Sequence, residues 1–333
     1  MRRRSLLSAS LGLVSLAGLA YVGVTRVAPS GLALHAGSAK AFGTTVTIQV
    51  LHSDPRTAQT AIADALQQVT MVDALMSVHQ PRSQVYQLNL QGQLNQADPH
   101  FLKVLAYAAA LSNQTGGAFD ISVQPLWQAF SQAQANGQLP TPQALAQAQA
   151  LVNWQGVKAQ GDRIALAAPG MAITLNGLAQ GYAVDLAMAA LRAKGVAHAL
   201  LDTGEFGAMG TKGQDQPWVL GIKNPRQTDD LAARVAMDGR ALSTSGDYET
   251  RFSADFSHHH IFDPSTGDSP STLASATVLA PTGMMADGLS TAFMVLGADK
   301  ALALAASLPR VDALLIHKNG SQQTTAHFPK LLA

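Results

Sequence analysis

The sequence predicts an α+β fold, a single large domain with a mainly antiparallel sheet and flanking helices. Short apolar strand-like segments alternate with helix-period segments, and there is no fixed-period repeat, no charge run and no long linker after the N-terminal stretch. At roughly 100–200 residues per domain, 333 residues make one large domain or two small ones. The lack of an internal break favours one. Hydrophobic residues make up 47% and charged residues 13% of the chain, which excludes disorder and leaves the surface to Gln, Ser, Thr and Asn.

The N-terminus, MRRRSLLSASLGLVSLAGLAYVGV, carries Arg3-Arg4-Ser5-Leu6-Leu7 ahead of an apolar run, the pattern of a twin-arginine export signal. Gly18-Leu19-Ala20 offers a small-x-small cleavage site, yet Leu6 to Val24 approaches the ~17–25 residues that span a bilayer. Residues 1–36 therefore read as an export signal or an N-terminal anchor in the inner membrane. Residues 37–333 read as the working domain, exported and periplasmic. Val27 to Lys40, rich in Ser, Gly and Ala, reads as a connector across that boundary.

Thr44 to Leu51 alternates, with Val46, Ile48 and Val50 on one side, as a half-buried strand does. From Thr57 to Met76 the positions Ile62, Leu66, Val69, Val72 and Met76 recur at helical spacing. Phe101 to Leu111 forms a second helix, stopped by Gly116-Gly117. Thr141-Pro142 is an N-cap with proline in the first turn of an Ala/Gln-rich surface helix. Further strands are expected at Ile164–Ala167, Ala172–Leu175, Ala199–Leu201, Trp218–Ile222, Thr277–Ala280 and Ala313–Ile316. Trp127, Trp154, His198 and His317 read as structural, and Asp247-Tyr248 as a turn and strand start.

Net charge is +1 and no basic run follows the first four residues, which removes nucleic acid as a partner. The chain has no cysteine, so disulfides, thiolate metal sites and a cysteine nucleophile are excluded.

Two segments can carry chemistry. In ITLNGLAQGYAVDLAMAALRAKG, a strand runs through Asn176-Gly177 into a helix with Leu178, Tyr182, Leu186 and Ala189 on one face, closed by Arg192, Lys194 and Gly195. Such a turn frees backbone N–H groups and a helix dipole to meet a phosphate, although an ordinary βα corner has the same spacing. In ADGLSTAFMVLG, Asp287 and Thr291 stand four apart on one helix face with Ser290 beside them. An all-oxygen set suits Mg²⁺; equally, Asp287 could cap its helix and Thr291 bond back to a carbonyl.

The blocks FGTTVTI, MSVHQPRSQVYQLN, TGGAFDISVQPLW, LNGLAQGYAVDLA, STSGDYE, HHIFDPSTG and LAPTGMMADGLSTAFMVLG occur in this order. Together they resemble the ApbE family of FAD:protein FMN transferases, from about Phe42 to the C-terminus. The resemblance implies an ApbE-like, T-fold-like domain and a Mg²⁺-dependent enzyme that takes FAD as substrate. It would release AMP and join FMN through a phosphoester to a threonine or serine of a partner flavoprotein. Carried over by position, His260 is the base, Gly177, Asp287, Ser290 and Thr291 form the metal site, and Phe42, His79, Ala118, Phe119, Asp120, Thr174, Gln180 and Phe262 form the flavin contacts.

Three single positions and one short segment depart from the family's pattern. Members usually carry an acid at Thr174, a tyrosine at His79, a charged residue at Gln180, and a second glycine and an aspartate where this chain reads Gly204-Glu205-Phe206. Thr174, His79 and Gln180 keep a non-catalytic FAD binder open, and a Mg²⁺-dependent FAD pyrophosphatase with water as the nucleophile is a second alternative. In FSHHHIFDPSTG, adjacency argues against a metal cluster, because along a strand His258 and His260 share a side while His259 faces away. The resemblance leaves His260 as the base and the other two as bystanders.

Overall fold

The computed structural model describes residues 31–213 and 215–332. The twin-arginine and apolar stretch in residues 1–30 lies outside them. In chain order the elements are β1 (Ala33–Ala41), β2 (Thr44–His52), α1 (Pro55–Met76), α2 (Gln84–Gln91), β3 (Gln93–Leu94), α3 (Pro99–Gln114), α4 (Gln124–Gln134) and α5 (Pro142–Gln149). There follow β4 (Val157–Gln160), β5 (Arg163–Leu166), α6 (Ala179–Ala193), β6 (His198–Asp202), β7 (Phe206–Met209), β8 (Val219–Asn224), β9 (Gln227–Ala236) and β10 (Ala241–Gly246). The chain ends with β11 (Leu273–Ala280), α7 (Gly283–Leu296), α8 (Ala298–Ser307), β12 (Asp312–His317) and β13 (Gln322–Thr324).

Eight strands form one sheet in the order β1-β2-β6-β7-β10-β11-β12-β13, antiparallel at every pairing. The expected α+β class and antiparallel sheet are what is found. Strand alternation divides the sheet's residues between two cores. Val46, Ile48, Val50, Val278 and Leu315 pack under α1, α6 and α7, while Leu51, Leu242, Leu279, Leu314 and Ile316 pack under the β8–β9 hairpin with Trp218. Because β11 is covered on both faces, all eight of its residues are buried.

Much of the stretch read as connector, Val27 to Lys40, lies instead in strand β1 (Ala33–Ala41), which is paired along its whole length with β2. Its small residues are set by packing: a Cβ on Gly37 would stand 2.4 Å from the Ile62 Cγ2 of α1. Strand β1 thus starts four residues ahead of residue 37. Ala172–Leu175 is not a strand. The Asn89 side-chain amide takes both polar groups of Ile173, donating to its carbonyl at 2.8 Å and accepting its N–H at 2.7 Å, so no ladder forms there.

In α6 the buried face runs through Ala179, Tyr182, Ala183, Ala187 and Leu191; Leu186 is only half-buried and Ala189 is exposed. Small alanines let α1 and the sheet approach on a stripe that hydrophobicity alone does not reveal. The expected cap is present, with Thr141 accepting the Ala144 N–H, and the same device recurs where Asp54 and Asp98 cap α1 and α3 ahead of first-turn prolines.

Candidate active site

Helices α6 and α7 meet at their N-terminal ends and cap each other. Gly181 and Gly283 lie backbone to backbone, since a Cβ on either would stand 2.2–2.3 Å from the other's carbonyl oxygen. The Asp185 carboxylate of α6 accepts the N–H groups of Gly283 (2.6 Å) and Met284 (3.0 Å) at the start of α7. In return Asp287 of α7 accepts the Gly181 N–H at 3.0 Å in the first turn of α6. Each carboxylate thus meets the positive end of the partner helix. Asp287 does not cap its own helix, a role filled by Thr282.

Asp287 is 3% exposed, and its carboxyl is held well above the usual aspartate range, first by burial, then by the nearby Glu205 and Asp185 carboxylates against the Gly181 N–H. Glu205, in the β6–β7 turn, is also buried and shifted upward by burial; it receives hydrogen bonds from Ser243 and the Thr244 N–H, but its Oε2 has no partner. Among the described residues no lysine or arginine pairs with either acid. Two buried carboxylates without a counter-charge, one with an orphaned oxygen, fit a cation. No group of three His, Asp or Glu side chains forms a metal cage among the described residues, so an ion here would rely on hydroxyl, backbone and substrate oxygens.

Thr291 lies one turn beyond Asp287 beside Gly177, where an added Cβ would stand 2.9 Å from the Thr291 Oγ1 and 3.4 Å from the Phe119 ring. The Thr291 hydroxyl also meets Ser245 Oγ at 3.2 Å. Ser290, placed with the metal ligands by sequence, is fully buried and shares Ser245 as a partner with Thr291. Its hydroxyl bonds the Asp287 carbonyl (2.9 Å) and packs among Ser243 (3.1 Å) and Ser245 (2.8 Å) of β10.

Strand β10 leads from this cluster to the histidine loop. Four residues past its end, the Thr250 carbonyl accepts both the His260 N–H (3.0 Å) and the His260 Nδ1–H (3.2 Å). A carbonyl partner fixes the proton on Nδ1, leaving the lone pair on Nε2. Burial lowers the His260 pKa, opposed by the Thr250 carbonyl, Glu249 and Asp247, so the ring is neutral and ready to take a proton. The loop is not the expected strand but is cross-linked by Phe252 N–H to His258 O (2.8 Å). His258 pairs with Asp268 at 2.7 Å, and His259 is fully buried with its pKa pushed down to about 3 by burial. Both are structural, as expected.

The other sequence-predicted contacts divide. Phe42, in left-handed backbone at φ +53°, is half-buried and accessible, and His79 is exposed with its ring edge-on to Trp127 at 6.2 Å. Phe119 packs against Gly177 and so borders the site. Asp120 is occupied internally, accepting from Ser122 N–H (2.7 Å), Ser122 Oγ (2.6 Å) and Trp154 N–H (3.1 Å), and Ala118 is a turn residue ahead of it. Phe262 is 4% exposed and packs with Phe130 and Phe252 in a small aromatic core, so its ring supports the loop from below and offers no binding surface.

A sequence profile described as the ApbE family matches residues 42–315. The chain belongs to the ApbE family. A FAD:protein FMN transferase of Haemophilus influenzae is 33% identical over 292 residues, covering 80% of this chain and 82% of its own length. A FAD:protein FMN transferase of Vibrio cholerae is 28% identical, covering 84% of this chain and 86% of its own. Among solved structures, an ApbE protein of Thermotoga maritima superposes with a TM-score of 0.80 at 27% identity, covering 89% of this chain and 99% of that one. The flavinyl transferase ApbE of Pseudomonas stutzeri gives 0.76 at 30%, covering 89% and 95%.

In this ApbE chain two of the departures have structural explanations. The Gln180 amide donates to the Thr203 carbonyl at 2.5 Å, in the space beside Gly204 (φ +97°), so it braces the β6–β7 turn that carries Glu205. Thr174 accepts the Asn176 N–H at 3.2 Å and shapes the turn before Gly177. The sequence marked Glu205 only as a departure, and Asp247 as turn or strand start. Asp247 is indeed a turn residue, but it follows the end of β10 rather than starting a strand, and it is fully buried.

Proposed function

We propose that this chain is a FAD:protein FMN transferase, cleaving the FAD pyrophosphate and joining FMN to a threonine or serine hydroxyl of a partner flavoprotein. The observation that carries the reading is the cross-capped α6–α7 junction. It buries Asp287 without a cationic partner and sets Thr291 and Gly177 beside it, one strand from a histidine whose free nitrogen is Nε2. Relatives named FAD:protein FMN transferase support it.

Asp287 and Thr291, with a backbone oxygen near Gly177, would hold Mg²⁺. When bound, that ion supplies charge neutralisation for the pyrophosphate. The chain's own groups do the rest. Phe119, Phe42 and His79 would contact the flavin, and the Gly177 turn, against which Phe119 packs, would meet the phosphates. His260 Nε2 takes the proton of the acceptor hydroxyl as its oxygen bonds the FMN-side phosphorus, while the P–O bond to the adenylate breaks and AMP leaves. The low His260 pKa keeps that base unprotonated at neutral pH.

The test is the chain incubated with FAD, Mg²⁺ and a candidate acceptor flavoprotein, read by mass spectrometry. An acceptor heavier by one FMN, with AMP released, supports the reading; FMN and AMP formed equally fast without acceptor would make the chain a pyrophosphatase. The N-terminal sequence supports an exported, periplasmic location, tested by fractionating cells with and without the Arg3 and Arg4 pair.

A further inference from the structure

We propose that Arg226 is a positioning residue for the His260 base, acting through Asp247 and Phe256 from the turn of the β8–β9 hairpin. The proposal rests on the FMN-transfer reading for its kinetic arm. Arg226 reaches Asp247 with both guanidinium nitrogens, Nη1 to Oδ1 at 2.7 Å and Nη2 to Oδ2 at 2.8 Å, while Asp247 is fully buried directly after β10. Its guanidinium carbon also lies 4.3 Å from the Phe256 ring centroid, and that of Arg251 lies over the same ring at 5.0 Å.

Phe256 stands at the tip of the histidine loop with φ +63°, a conformation a bulky L residue holds only when its surroundings impose it. The surroundings here are the two guanidinium groups and Lys318 from the β12–β13 turn. Lys318 donates to the Phe256 carbonyl at 2.7 Å and lies 3.7 Å from Asp247 Oδ2. The loop is a narrow hairpin, with Thr250 paired to His260 and Phe252 to His258. Asp247 roots one limb, Phe256 forms the tip, and His260 lies on the returning limb. Arg226 therefore holds root and tip together without touching the histidine. The charged and titratable groups facing His260 are Glu249, Asp247 and His259. Removing the Arg226 cation leaves the Asp247 carboxylate with only the longer Lys318 contact at 3.7 Å, so the ring feels more of its negative charge.

A lysine at this position keeps the charge but loses the bidentate fork and the planar stack. In Arg226→Ala, kcat for FMN transfer should fall about tenfold to hundredfold, as expected when a base is displaced by a fraction of an ångström to 1 Å. KM for FAD should stay within about twofold, since Arg226 is outside the FAD contacts. The His260 titration, followed by NMR of ¹⁵N-labelled histidine, should move to higher pH with loss of the pure Nδ1–H tautomer. Arg226→Lys should recover the midpoint but not kcat. Phe256→Leu should lower kcat with the midpoint unchanged, and it carries the test should Arg226→Ala fail to fold. An Arg226→Ala protein with unaltered kcat and unaltered His260 titration overturns the proposal, as does a raised KM at unaltered kcat. If the parent chain transfers no FMN, the functional reading falls, while the histidine spectra still decide whether Arg226 positions the ring.

Discussion

Replacing Gly181 by alanine tests the α6–α7 junction on which the active-site reading depends. The added Cβ would stand 2.2 Å from the Gly283 carbonyl oxygen, 2.5 Å from its carbonyl carbon and 2.7 Å from Asp287 Cβ. Two of these neighbours are backbone, so the helices must part by about 1 Å to restore van der Waals contact. Overpacking of this kind costs about 1–3 kcal/mol. Parting the helices also stretches the Gly181 N–H bond to the Asp287 carboxylate, a charged hydrogen bond worth about 1.5–3 kcal/mol. Alanine's better helix propensity returns about 1 kcal/mol. The net expectation is a loss of about 1.5–5 kcal/mol, read from urea unfolding of parent and variant at equal m-values. A loss under about 1 kcal/mol, or a gain, would show that the two backbones are not in contact and would refute the cross-capping geometry.

Asp287→Asn keeps an acceptor for the Gly181 N–H but removes the charge. Its melting temperature should no longer respond to Mg²⁺, whereas the parent at 100 times its Kd should gain about 2.7 kcal/mol. With ~2.1 cal/mol/K per residue over roughly 300 residues, that gain is about 4 °C in thermal shift. Burial raises the folded-state pKa of Glu205 above its ordinary 4.5, so the folded chain holds the proton more tightly than the unfolded one. Metal-free stability should therefore fall as pH rises from 4.5 towards neutrality, and in Glu205→Gln this fall should be smaller when unfolding is measured across that range. Since burial lowers the His260 pKa, the acidic limb of kcat/KM should have its midpoint below the usual ~6.5 and vanish in His260→Ala; a midpoint above 7 would contradict the burial.

The sequence made legible whatever repeats with a period or caps a helix. Val46, Ile48 and Val50 mark β2, and Thr141-Pro142 starts α5 where expected. It failed where tertiary contacts take over backbone hydrogen bonding, as Asn89 does for Ile173, or where small residues conceal a strand, as Gly37 does in β1. The site divides in the same way. Asp287, Thr291 and Gly177 are brought together, and their helical spacing and glycine turn were visible in the chain. Ser290 and Phe262 occupy the right segments, but the Ser290 hydroxyl is taken up by the Asp287 carbonyl, Ser243 and Ser245, and the Phe262 ring lies in the aromatic core, details that motif position does not encode. Glu205 and the Arg226–Asp247 pair depend on contacts between residues far apart in sequence, which no local pattern announces.

The most direct measurement of the central claim is intact-mass analysis of an acceptor flavoprotein after incubation with FAD and Mg²⁺, comparing the parent chain with His260→Ala and Asp287→Ala. The expected result is one added FMN and released AMP with the parent and neither product with the two variants. Equal flavinylation by all three would contradict the assignment of this site.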